Sequence, residues 1–231
     1  MPRPAWSFSS IEQYRNCPKQ YQEVRILKNW REEETEERRW GNRVHDALKE
    51  CLQKGTPLPS GMEVWQGIAD QFKKVKGKLL AEQELALDEN WKPCPWFKDR
   101  HDPNAQDPWV RVILDAAWID GTVGKCIDWK TGKPKRGSDQ LALFALVMFA
   151  YYPQLTEVRT GFVWLKNGTV TWEKFKREDV PKMWALYATD IQRLENAHQS
   201  GVFPVKTSGL CNNHCPVVTC QFNGKRRNWS N

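Results

Sequence analysis

The stretch that most constrains this chain runs from Arg111 to Phe144, RVILDAAWIDGTVGKCIDWKTGKPKRGSDQLALF. Val110 to Ile119 is apolar and β-prone, Asp120-Gly121 is a hairpin signal, and Val123 to Trp129 is the returning strand. TGKPKRG then forms a basic loop, and Ser138 caps a helix over roughly 138–151. Asp115 lies in the first strand, Asp128 and Lys130 at the end of the second, and Gln140 near the start of the helix. Asp115 and Asp128 are about equally far from the turn, so their side chains converge on one end of the sheet. Two buried carboxylates repel, and one takes up a proton unless a cation lies between them. Carboxylate oxygens are the hard ligands that magnesium and manganese prefer. Asp128 and Lys130 are two residues apart and share a strand face. Lys130 therefore points at the same site, where an ammonium stabilises an attacking hydroxide or a phosphate gaining charge. The competing reading is a surface Asp/Lys pair at a strand end, because D-x-K is a short pattern. Gln140 can contact a nucleophilic water or a phosphate oxygen, or simply be solvated. Lys133, Lys135 and Arg136 are either phosphate contacts or a solvated loop.

Upstream, Ser9 followed by Glu12 is a capping-box pattern for a first helix, which Pro18 stops or kinks just after Cys17. REEETEERR at 31–39 is a solvated charge run. In WGNRVHDALKECLQKG, Val44, Ala47, Leu48, Cys51 and Leu52 recur at helical spacing, and Gly55 ends the helix. His45 lies beside that apolar stripe, and taken alone it reads as a histidine satisfied by a carboxylate or a carbonyl. A second helix is predicted over roughly 62–80. Leu80–Leu87 either ends that helix or forms a short strand. Residues 90–108 read as a long loop. Strands are predicted at Glu157–Leu165 and Val170–Phe175 around an Asn167-Gly168 turn, followed by a long amphipathic helix over Glu178–Ser200.

The chain has 231 residues, 40% of them hydrophobic, enough for one large domain with a sizeable core. The net charge of +7 and pI of about 9.0 favour an anionic partner or merely a soluble surface. No apolar stretch approaches the roughly 20 residues that span a bilayer, and no N-terminal signal pattern is present. A soluble, cytoplasmic protein is expected.

Seven cysteines in a reducing compartment argue against a disulfide framework. Cys211, Cys215 and Cys220 form C-x3-C-x4-C in an irregular tail over 201–231. Three thiols leave a tetrahedral site or a cluster one ligand short. Cys17 supplies the fourth if the two segments meet; the alternatives are zinc with His214, or no metal.

Taken together, GNRVH at 41–45, LD at 114–115, DWKTGK at 128–133 and QLALF at 140–144 resemble, in order and spacing, the RecB-like branch of the PD-(D/E)xK nucleases. SFSSIEQYRNCPKQY is similar to that branch's opening. Phe144 departs from the pattern, which usually has Tyr there. The resemblance implies a restriction-endonuclease-like α/β fold: a mixed central sheet flanked by helices, with an irregular Cys-rich C-terminal tail. It implies one nuclease domain over 1–231, with a helical part about 7–80, a catalytic core about 81–200 and the tail. It implies that His45, Asp115, Asp128 and the Trp129 backbone carbonyl hold Mg²⁺ or Mn²⁺, that Lys130 and Gln140 organise water and phosphate, and that the partner is DNA. Glu84 would match an acid that some members carry on the first core strand. Cys17 with Cys211, Cys215 and Cys220 is similar to the [4Fe–4S] plan of AddB-type and CRISPR-adaptation nucleases, although their usual trio is C-x2-C-x5-C. The expected activity is a metal-dependent deoxyribonuclease, an exonuclease of DNA degradation, recombination or repair. The alternatives are a structure-selective endonuclease and a DNA-binding assembly protein on a decayed nuclease fold.

Overall fold

The computed structural model describes residues 5–99, 101–102, 104–134 and 139–225. Ser138, Lys135 and Arg136 therefore lie outside the described residues. Contacts divide the chain into two compact units, one of 36–186 and one of 1–35 with 187–231.

The 36–186 unit is built on a six-stranded mixed sheet in the order β2-β1-β3-β4-β5-β6. The strands are β1 (Lys78–Leu87), β2 (Pro93–Cys94), β3 (Val110–Asp120), β4 (Val123–Lys130), β5 (Glu157–Trp164) and β6 (Thr169–Lys176). Only β4 and β5 run parallel; every other neighbouring pair is antiparallel. The β3–β4 hairpin pairs Asp120 with Val123, and Gly121 turns the chain at φ 57°, a left-handed conformation that glycine adopts without strain. The parallel β4–β5 pair needs a crossover, which the helix at Asp139–Tyr151 supplies. Every residue of that helix from Leu141 to Phe149 is buried, so the sequence has no amphipathic period there.

Helices cover both faces of this sheet. On one face, Val44, Leu48, Cys51 and Leu52 of the Glu36–Lys54 helix and Ala69 and Phe72 of the Gln66–Lys73 helix pack on Ala116, Trp118, Ile127, Trp129 and Val163. On the other, Gly124 has no room for a side chain, since a Cβ there would stand 2.8 Å from the Met148 methyl and 2.9 Å from Leu155. Asp128 is four residues from Gly124 and so faces this second layer.

The other unit joins the segments around the first helix and the last. Numbered in chain order, α1 is Phe8–Asn16, α2 is Pro18–Tyr21, α3 is Glu36–Lys54, α4 is Gln66–Lys73, α5 is Asp139–Tyr151, α6 is Val180–Ser200 and α7 is Leu210–Asn213. A π-helical turn, Gln22–Ile26, continues α2, with Leu27 donating to the Gln22 carbonyl. In this unit Tyr21 is buried against Phe203 and the edge of His198, and Arg15 pairs with Asp190 at 2.7 Å.

Three sequence expectations change. The first helix is capped by Ser7, not Ser9: Ser7 is extended and exchanges side-chain and backbone bonds with Ser10, whose hydroxyl does what Glu12 was expected to do. The second helix ends at Lys73 rather than near residue 80; Gly77, at φ 113°, then turns the chain into β1, which begins at Lys78. The 90–108 segment contains the short strand β2, which caps the β1 edge of the sheet.

Candidate active site

The β3–β4 ladder stops at Ala116–Ile127, one step before Asp115 and Asp128. Beyond that step the Trp129 N–H donates to Asp115 Oδ2 at 2.8 Å, so a side chain replaces the backbone acceptor. The same oxygen lies 3.2 Å from Nδ1 of His45 on α3. Asp128 is 7% exposed. Its Oδ1 accepts from Gln140 Nε2 at 3.1 Å, and Oδ2 stands 2.7 Å from Lys130 Nζ. Lys130 also donates to Gln140 Oε1 at 3.2 Å. Thus α3, β3, β4 and α5 bring together His45, Asp115, Asp128, Lys130 and Gln140.

The electrostatics follow from that crowding. Burial pushes the Asp128 carboxyl up to about 6, and Asp115 adds to the shift; Lys130 and His45 oppose it. Burial alone would lower His45, but the hydrogen bond and charge of Asp115, with Asp128 behind, outweigh it and leave the imidazole above its ordinary value.

The donor set suits a divalent cation. Asp128 Oδ2 is buried with the Lys130 ammonium 2.7 Å away, so the carboxylate is held by charge in a site with little water. The 3.2 Å between His45 Nδ1 and Asp115 Oδ2 is close to the roughly 3.0 Å between adjacent ligands of an octahedral ion with bonds of about 2.1 Å. A cation there would take the place of the imidazole proton. Among the described residues, no three His, Cys, Asp or Glu side chains already stand as a finished set of ligands.

Lys133 is exposed on the loop after β4, while Lys135 and Arg136 lie outside the described residues. Glu84 is exposed opposite Ile113. Glu82 is the acid that falls opposite Asp115: the β1–β3 ladder pairs Ala81 with Ala116 and Gln83 with Leu114 and skips the step between. Glu82 has φ 49° and pairs with Lys49 of α3. A left-handed non-glycine residue inside a strand is not legible from residue type. Phe162 was also missed. It lies directly across from Asp128 on β5, and its ring sits 4.8 Å beneath the Lys130 ammonium; only the strand register reveals it.

In the other unit, Cys17, Cys211, Cys215 and Cys220 line one pocket with Lys206, Ser208 and Asn223. Burial pushes the Cys215 thiol up, and Cys211, Cys17 and Cys220 each reinforce this, so the four sulfurs are electrostatic neighbours. The Lys206 and Ser208 N–H groups donate to the sulfurs of Cys17 and Cys211, each at 3.5 Å. The Asn223 amide bridges the carbonyls of Cys215 and Val217 at 3.0 and 2.9 Å, shaping the loop between the last two thiols. His214 does not line this pocket. Cys51, Cys94 and Cys126 are buried singly.

Comparison with known proteins agrees with this architecture. A solved structure described as "Putative exonuclease" from Eubacterium rectale superposes with a TM-score of 0.53 at 10% identity, covering 90% of this chain and 86% of that one. A second, SSO0001, gives a TM-score of 0.49 at 11% identity, covering 96% and 89%. No curated protein sequence matches the chain. The family model of the PD-(D/E)XK nuclease superfamily matches residues 5–220, a span that holds every acid, the lysine and all four clustered cysteines, and the chain belongs to that superfamily.

Proposed function

We propose that the protein is a Mg²⁺- or Mn²⁺-dependent deoxyribonuclease, an exonuclease acting on DNA ends. The observation that carries this reading is the convergence of Asp115, Asp128, Lys130, Gln140 and His45 around a buried Asp128 carboxylate. Nucleases of this superfamily generally use divalent metals such as Mg²⁺. Here His45, Asp115, Asp128 and the Trp129 carbonyl would hold the ion, which supplies Lewis acidity and a water of lowered pKa. Lys130 places its positive charge where the attacking oxygen and the phosphate gain negative charge. Gln140 spans Asp128 and Lys130 and so fixes the direction of both. Lys133, with Lys135 and Arg136, would contact the DNA backbone. The exonuclease assignment follows the description of the Eubacterium rectale relative in fold as a "Putative exonuclease".

We further propose that Cys17, Cys211, Cys215 and Cys220 hold a [4Fe–4S] cluster, a reading that rests on their sharing one pocket. N–H donors to sulfur favour thiolates, and a cluster there would staple the tail to the α1–α2 segment.

The test is a cleavage assay on end-labelled single- and double-stranded DNA, linear and circular, with each metal. Degradation of linear but not circular DNA, lost in Asp128→Ala and Lys130→Ala, is expected. Cutting of circles would show an endonuclease. Undiminished activity in both variants would overturn the site.

A further inference from the structure

Lys130 is a four-carbon side chain that could point in many directions, yet the site needs its ammonium in one place. Two acceptors hold it from one side, Asp128 Oδ2 at 2.7 Å and Gln140 Oε1 at 3.2 Å. The third contact is not polar. The Phe162 ring centroid lies 4.8 Å from Nζ, and Phe162 is 4% exposed. Its position follows from the sheet: β4 and β5 run parallel, and Phe162 is the direct neighbour of Asp128. The ring is itself held in place. Trp164, the β5 neighbour of Lys130, meets Phe162 edge-on at 5.5 Å, and Trp164 Nε1 donates to Thr171 Oγ1 of β6 at 2.9 Å.

We propose that Phe162 is a positioning residue for Lys130: the face of its ring holds the ammonium between Asp128 and Gln140 by a cation–π contact. This rests on the reading of Lys130 as part of a nuclease site. An aromatic face attracts a cation most strongly where water is scarce, and Phe162 and Asp128 are both buried. The ring covers one side of the ammonium while the Lys130 side chain remains 30% exposed, which leaves it open to a phosphate oxygen. A leucine fills similar space without the electrostatic attraction, so the two contributions can be separated.

Two measurements test the proposal. The first needs no activity: in isotope-labelled lysine spectra, the Lys130 side-chain resonance, assigned by its loss in Lys130→Arg, should be displaced upfield by the ring and return to the ordinary position in Phe162→Leu. The second replaces Phe162 by mono-, di- and trifluorophenylalanine, which weaken the ring's attraction for cations at nearly constant shape. Cleavage kcat should fall stepwise, reaching roughly three- to thirtyfold with the ring electrostatics removed, with KM and melting temperature little changed, and Phe162→Tyr should retain most of the rate. An undisplaced lysine resonance, or a kcat indifferent to fluorination, overturns the proposal. A displaced resonance in a protein that cleaves no DNA would instead overturn the nuclease reading, and with it the catalytic purpose of the contact.

Discussion

Asp115 accepts the Trp129 N–H at 2.8 Å just where the β3–β4 ladder ends, so one carboxylate both closes the sheet and faces the site. The two roles separate by substitution. Asp115→Asn keeps an acceptor oxygen for the N–H but loses the charge. Cleavage should fall at least about 100-fold, while stability stays within about 1 kcal/mol. Asp115→Ala should lose activity equally and also destabilise by about 1–3 kcal/mol, because an N–H at the buried Trp129 is left without a partner. Kinetics with parallel denaturant melts check both.

The raised Asp128 carboxyl makes metal-free stability depend on pH. Its native pKa, pushed to about 6 chiefly by burial and then by Asp115, lies above the unfolded value. The protonated form is thus favoured in the fold. Its contribution is fully present below about pH 4 and is lost as pH rises through about 6, on the order of 2–3 kcal/mol. In chelator, Asp128→Asn should therefore be more stable than wild type at pH 7.5 and about equal to it near pH 4. Added Mg²⁺ or Mn²⁺ should raise the wild-type melting temperature more at pH 7.5 than at pH 5. A variant no more stable than wild type at pH 7.5 would contradict this account.

Cys17→Ser or Cys211→Ser should lose iron and sulfide and the absorbance near about 400 nm expected of the anaerobically purified protein. Burial holds the Cys215 thiol above its ordinary value, so assembly must release a proton there, and reconstitution should be slower at pH 7 than at pH 8.5. A colourless, zinc-containing wild-type preparation would reject the cluster.

Gly77 tests the fold itself. It sits at φ 113°, and a Cβ would stand 2.5 Å from the Ile119 carbonyl oxygen. Gly77→Ala combines a disfavoured backbone with a clash against backbone, which cannot rotate away. A loss of roughly 2–4 kcal/mol is expected from melts, with the cleavage mechanism unaltered at low temperature.

The hairpin and the crossover helix were legible in the sequence because each rests on local chemistry, a turn glycine and a long apolar run; Asp115, Asp128 and Lys130 stood out as a short acidic motif, whereas His45 entered only through the family resemblance. Their convergence was not local. It depends on the register of Asp128 with Phe162, on the halted ladder, and on the approach of α3, none of which leaves a mark on residue type. Glu84 shows the same limit. The acid opposite Asp115 is Glu82, and the reason is one left-handed backbone angle. The helix expected over 62–80 forms but ends at Lys73, and the lysine-rich remainder turns at Gly77 into β1.

The four thiols also bear on how the protein is made. Cys17 leaves the ribosome early, and the three cysteines that share its pocket emerge only after the whole 36–186 unit has been translated. The unit that contains them cannot close co-translationally around its own first segment. A chain interrupted between Lys176 and Cys211 would carry every strand of the sheet while Cys17 lacked the three cysteines that share its pocket.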